Sequence, residues 1–232
     1  MTKGEPMPEA AEYPKQIDMI EVPHYYQLDP TVVGDEPEAR TVCSVVAMKS
    51  LIDYYELLQG EPAMPFAELK QLMEEWGGRL EGSSLWRHDA QVNTLKALGL
   101  TAWRRNWEAP SQDPAYFAES EGYDESQLSR VQGQISSEMG LEPRQAAKKA
   151  LIEAIRAGAP VIVSVKPGFT HNKDSHQVVL HGWETSPAGD TLHIEDPIVP
   201  AEEQAELGTI TEDYFFDHFN YRAIFATPEI HE

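Results

Sequence analysis

Val45, Met48, Leu51, Ile52, Tyr55 and Leu58 recur at three- and four-residue steps, and this stripe constrains the fold more than any other feature. A helix carrying it has one apolar face along its whole length, and that face must be buried against another element. The spacing predicts a helix over residues 41–58, with Thr41 as N-cap and Gly60 and Pro62 closing it. Two more amphipathic helices are predicted over 66–76, stopped by Gly77-Gly78, and over 87–98, stopped by Gly99. A fourth covers 143–157, with Ala147, Leu151, Ile152 and Ile155 on one face and Gly158 at its end. Strand patterns fall at 19–22, 100–107, 160–165, 177–183, 191–196 and 222–227. Helices early and strands late imply an α+β domain whose sheet packs on the first helix.

The chain has 232 residues, 41% of them hydrophobic, which suits one ordinary domain with a real core. Residues 1–18 read as a flexible N-terminal tail and 19–232 as a single domain. The segment 108–140, with Pro110, Pro114 and many Ser, Glu and Gly, reads as an insertion or lid. No internal repeat interrupts this organisation.

Charge narrows the partners. The chain carries 18 Lys and Arg against 39 Asp and Glu, a formal net charge of -21. Such a field repels phosphate backbones and anionic lipid, which argues against nucleic acid and membrane. It favours a basic peptide or protein, although acids scattered this evenly also serve solubility. Residues 1–15 lack an apolar signal core, and no run approaches the roughly 18 apolar residues of a membrane span. The single cysteine excludes an intrachain disulfide framework and any multi-cysteine metal site, so a reducing cytoplasm is the expected compartment. The oligomeric state stays open.

That cysteine, Cys43, falls in the first turn of the predicted first helix, directly after a polar loop. The N–H groups and dipole of a helix N-terminus favour a thiolate, the reactive form of the residue. A partner follows from strand alternation. His176, Val178 and Leu180 share one face of a strand, and Leu192, Ile194 and Asp196 share one face of the next. If the two strands form a hairpin, apolar pairing sets Leu180 opposite Leu192 and Val178 opposite Ile194. The same register puts His176 opposite Asp196, with Cβ atoms roughly 4.5–5.5 Å apart. A thiolate, an imidazole and an orienting carboxylate are the parts of a nucleophilic acyl-transfer site. Gln27 is a candidate donor to the oxyanion that such chemistry creates.

His171, His176, His181 and His193 raise the idea of a metal site, but in this register His181 and His193 point away from His176. No HExxH or acid-rich cation loop is present, so neither metal nor cofactor is expected. His88 reads as a polar residue in the first turn of the third helix.

Together these residues resemble the bacteriocin-processing, or double-glycine, peptidase-like family of papain-like cysteine peptidases. Ile20-Glu21-Val22-Pro23-His24-Tyr25-Tyr26-Gln27-Leu28-Asp29 is similar to the family's V-P-x-Y-x-Q-x-D opening, whose glutamine serves the oxyanion hole. Cys43 with Tyr54-Tyr55 resembles its cysteine helix, and Ala159-Pro160-Val161-Ile162-Val163 its G-x-P-V-I-V strand. His176-Gln177-Val178-Val179-Leu180-His181-Gly182 and Asp196-Pro197 resemble its histidine and aspartate segments. The chain departs from the family at Cys43-Ser44-Val45, where Cys-Gly is usual, and in a longer loop between Gln27 and Cys43. The resemblance implies a papain-like α+β fold with the cysteine helix packed on an antiparallel sheet. It also implies a Cys43–His176–Asp196 triad cleaving peptide or amide bonds through an acyl-enzyme, with Gln27 in the oxyanion hole. An inactive binding scaffold, or an acyltransferase using the same triad, is the alternative.

Overall fold

The computed structural model describes residues 16–34, 39–79, 86–107, 142–170 and 172–228. The expected insertion or lid at 108–140 and the first fifteen residues of the expected tail lie outside them. The apolar stripe forms α2 (Cys43–Gln59), preceded by a four-residue helix α1 (Pro30–Val33) and a 3-10 turn over Ala39–Thr41. Thr41 is therefore not the N-cap. That position belongs to Val42, whose side chain makes no capping bond, so Cys43 is the first helical residue. At the other end Gly60 is left-handed at φ 76°, and its N–H reaches the carbonyls of Glu56 and Leu57.

Helices α3 (Phe66–Glu75) and α4 (His88–Ala97) follow, then β2 (Leu100–Asn106) and α5 (Pro143–Arg156). The remaining chain gives β3 (Val161–Val165), β4 (His176–Thr185), β5 (Thr191–Glu195), α6 (Ala201–Leu207), β6 (Thr209–Thr211), α7 (Glu212–His218) and β7 (Phe219–Pro228). The first strand, β1 (Gln16–Met19), starts earlier than the alternation predicted. All pairings are antiparallel, in one sheet of seven strands with the order β2-β7-β3-β4-β5-β6 and β1 added to β4. β4 is long enough to take β3 along residues 176–180 and β1 along 182–185.

The sheet is covered on both faces. Val45, Met48, Leu51 and Ile52 of α2 pack with Ile162, Val179, Ile224 and Ala226, and α3 and α4 complete that layer through Leu69, Met73 and Leu95. Val163, Val178, Leu180, Ile194 and Phe225 turn the other way, against Leu151 and Ile155 of α5 and Phe215 and Phe216 of α7. Two tyrosine hydroxyls fasten α2 to the sheet's surroundings, Tyr55 donating to the Ala226 carbonyl at 2.6 Å and Tyr54 to that of Gly158 at 2.8 Å.

The hairpin register differs from the one the apolar pattern predicts. Leu180 pairs with Ile194, not Leu192, and Trp183 pairs with Leu192, because a bulge lies between Leu180 and Gly182. The extra residue resets the alternation, so Trp183 joins the face of Val178 and Leu180 and is 1% exposed. Gly182 fits the bulge for a steric reason. A Cβ there would sit 3.0 Å from the Cβ of His193 and 3.2 Å from Cγ of Met19. His176 is thus two residues from the position directly opposite Asp196, while both side chains keep a common face.

Candidate active site

α2 lies on one face of the sheet, whereas Val178 and Leu180, the same-face neighbours of His176, belong to the other core. Cys43 and His176 can meet because each is the first residue of its element, at the end of the sheet. The Cys43 thiol and the His176 ring lie close enough there for each to act on the other's charge. The Nε2–H of His176 donates to Oδ1 of Asp196 at 2.6 Å, which leaves Nδ1 for the sulfur.

Asp196 stands one residue past β5, in the corner Asp196-Pro197, and is fully buried. Its carboxylate is well supplied with donors. Oδ1 also accepts from the Ile198 N–H at 3.0 Å, and Oδ2 accepts from the Thr170 hydroxyl at 2.7 Å. The diagonal placement set by the bulge therefore still allows the imidazole–carboxylate contact, by side-chain reach and not by direct opposition.

The electrostatics follow from these contacts. Burial disfavours a thiolate at Cys43, but the His176 charge and hydrogen bond, the Gln177 N–H and the Ser44 hydroxyl outweigh it and lower the thiol pKa. Burial likewise works against a charged ring at His176, yet Cys43 and Asp196 push the imidazolium up to about 10. Asp196 is held below the usual carboxylate range despite its burial, through His176, Thr170 and the Ile198 N–H. The arrangement favours the thiolate–imidazolium pair over an isolated thiol and imidazole. Cys43 itself remains partly exposed as a residue.

Gln27 is brought to the same corner by its backbone, whose N–H donates to the Pro197 carbonyl at 2.8 Å. Its side chain is fully buried, and neither amide atom has a hydrogen-bond partner. A buried amide without partners is costly in a finished core. It is what a donor waiting for a ligand oxygen looks like. Three supporting groups escaped the sequence reading. Thr170 is distant in sequence, the Gln177 N–H is a backbone group, and Ser44 stands where the resembling family has glycine. Only Ser44 left a signal, as a departure from the motif.

His171 lies outside the described residues, and other described histidines are engaged elsewhere. His181 Nδ1 donates to the Ile20 carbonyl at 2.7 Å, and His24 Nδ1 meets Glu195 Oε2 at 2.5 Å. His88 lies at the start of α4, with Nε2 3.3 Å from the Ser164 hydroxyl. Ser164 adjoins Gln177, whose side chain exchanges amide hydrogen bonds with Gln91 at 2.6 and 3.1 Å. This buried network braces the segment that presents the Gln177 N–H to the thiol. Among the described residues, no group of three or more His, Cys, Asp or Glu side chains could hold a metal ion.

Solved structures similar to this one include two from peptidases and one from a further protein. The structure is similar to a double-glycine motif protease from an AMS/PCAT transporter, solved with a leader peptide, at 14% identity, 91% and 94% coverage of the two chains and TM-score 0.46. It is also similar to the peptidase domain of Streptococcus ComA, at 14% identity, 89% and 98% coverage and TM-score 0.44. The likeness to UfSP from C. elegans reaches TM-score 0.51 at 11% identity, covering 94% of this chain and 35% of that one. No curated protein matches the sequence. The model of the Peptidase_C39 like family matches residues 19–223, and the chain belongs to that family.

Proposed function

We propose that this chain is a thiol hydrolase that cleaves peptide or amide bonds with Cys43, His176 and Asp196 as its triad. The observation that carries the reading is the 2.6 Å hydrogen bond from His176 to Asp196 with the Cys43 thiol beside the same ring, which lowers the thiol pKa and raises the imidazolium pKa. The Cys43 thiolate attacks the scissile carbonyl carbon, and the pair of electrons displaced onto oxygen forms an oxyanion. The Gln27 amide and the backbone N–H of Cys43 are the donors suited to it. Collapse of this intermediate breaks the carbon–nitrogen bond as the His176 imidazolium protonates the leaving amine, leaving a thioester on Cys43. Neutral His176 then takes a proton from water, whose oxygen attacks the thioester. Release of the carboxylic acid restores thiolate and imidazolium. Asp196 keeps the ring in one tautomer and orientation throughout.

A peptide is the substrate class that membership of a peptidase family favours, and the net charge of -21 favours one with basic residues. The test is alkylation of the thiol. Iodoacetamide should modify Cys43 faster than free cysteine at pH 6, where free cysteine is almost wholly protonated, and Cys43→Ala should abolish hydrolysis. A thiol that reacts only as free cysteine does, with the same pH dependence, would overturn the reading.

A further inference from the structure

Thr170 has a backbone that its residue type disfavours. Among the described non-glycine residues, only Thr170 and Tyr221 have positive φ, and Thr170 sits at 50°. A β-branched side chain in the left-handed region is strained. The surroundings fix this conformation. The Thr170 N–H donates to the Tyr214 hydroxyl of α7 at 2.9 Å. The preceding Phe169 is fully buried, with its ring 5.6 Å from that of Tyr214 and 6.0 Å from that of His218. Gly168 N–H to the Asn172 carbonyl at 2.8 Å, and Asn172 N–H to the Phe169 carbonyl at 3.0 Å, close the loop on itself.

The strained residue delivers one group to the site. Its hydroxyl lies 2.7 Å from Asp196 Oδ2 and 2.7 Å from its neighbour's carbonyl at Phe169. A hydroxyl has one proton to donate, and a buried carboxylate is the stronger acceptor. The Phe169 carbonyl also has the Asn172 N–H, whereas Oδ2 of Asp196 has no other donor among the described residues. Oδ1 is occupied by His176 and Ile198. The Thr170 hydroxyl therefore fixes the rotation of the carboxylate about its side-chain axis, which decides whether Oδ1 points at the imidazole.

We infer that Thr170 is a positioning residue of the hydrolase, whose strained backbone is kept because it aims a hydroxyl at Asp196 and so sets the orientation of His176 against Cys43. The inference rests on the thiol-hydrolase reading. It also separates from a packing role by a sign. A residue kept for packing should stabilise the fold, whereas glycine at this φ relieves strain and removes only the hydroxyl and a methyl group.

The experiment measures iodoacetamide alkylation of Cys43 against pH, per folded molecule, in the wild type and in Thr170→Ser, Thr170→Gly and Thr170→Ala. Loss of the hydroxyl weakens the stabilisation of ionised Asp196, so its carboxylate protonates at higher pH and the acid limb of the alkylation profile moves up. Thr170→Gly and Thr170→Ala should both shift that limb by about one pH unit, a roughly tenfold slower reaction at a pH below it. Thr170→Ser should restore the wild-type limb, and melting temperature should not track these changes. An unshifted limb in Thr170→Gly and Thr170→Ala, or a Thr170→Ser variant as impaired as they are, overturns the inference. In that case a fast wild-type thiol leaves the hydrolase reading intact. A wild-type thiol no faster than free cysteine removes both.

Discussion

At the scale of single residues, the pair of opposed pKa shifts at Cys43 and His176 dictates how stability varies with pH. The thiol pKa is lowered from an ordinary value of about 9, so its contribution grows as pH rises toward 9 and is lost as pH falls through the folded value. The imidazole is raised from about 6.5 to about 10, so its contribution is complete below 6.5 and lost as pH rises toward 10. The two slopes cancel from the pH at which the folded thiol ionises up to about 9, where folding only moves one proton from sulfur to nitrogen. The unfolding free energy of the wild type, relative to a Cys43→Ala/His176→Gln double variant, should be level as pH approaches 9 and fall beyond it. Denaturant titrations at several pH values would check this. A difference that falls steadily from pH 7 to 9 would mean that the folded thiol stays protonated beside a charged ring. His176 and Asp196 were legible because strand alternation survives a register error of two residues, as parity is conserved, and Cys43 was legible from its place at the start of the apolar stripe. The sequence could not show Thr170 or the Gln177 N–H, because neither a loop's closure nor a backbone donor's aim is written in a local pattern.

At the scale of elements, the stripe of α2 was legible because it repeats over nearly five turns, while α1, α6 and α7 are too short for periodicity to emerge. The bulge in β4 was hidden for another reason. The alternating run through Leu180 looked complete, and the demand that Trp183 also be buried appears only once a partner strand is present. α2 carries a further device on its buried side. The Lys49 ammonium donates to Asp53 Oδ2 at 2.7 Å and to the Met64 carbonyl at 2.5 Å, and the Tyr25 hydroxyl donates to the same Oδ2 at 2.5 Å. Asp53 Oδ1 accepts from the Met64 N–H at 3.1 Å. One carboxylate thus ties α2 to the turn before α3 and to the segment that carries Gln27. Asp53→Ala should cost about 3–5 kcal/mol, because it strands a buried ammonium and the Tyr25 hydroxyl. The paired replacement Asp53→Leu/Lys49→Met should recover much of that loss, as apolar replacement of a buried ion pair often does. Urea unfolding of the three proteins decides the point. A double variant as unstable as Asp53→Ala would show that the loss comes from packing and not from the unpaired charge.

At the scale of the whole molecule, acids outnumber bases 39 to 18, and several of the described bases already sit in ion pairs. Arg144 meets Glu212 at 3.1 Å and Asp213 at 2.6 Å, Lys148 meets Glu212 at 2.6 Å and Asp190 at 2.8 Å, and Arg104 meets Asp89 at 2.6 Å. Arg156 reaches Asp18 at 3.1 Å and so fastens α5 to β1. These contacts are local, whereas the net charge of -21 acts across the whole globule. Salt weakens both effects, and the balance decides the sign. Exposed ion pairs contribute only about 0–1 kcal/mol each. Self-repulsion sums over every pair of like charges and is screened once the Debye length falls to about 8 Å at physiological ionic strength. Repulsion should dominate. Raising KCl from about 0.01 to 0.15 M, a threefold to fourfold shortening of the Debye length, should therefore raise the melting temperature at pH 7.5. Sodium chloride at equal ionic strength should do the same, because screening depends on ionic strength and not on the ion chosen. A melting temperature that falls with added salt would mean that the ion pairs at α5 outweigh the global field. The acid excess would then be a surface property without influence on folding stability.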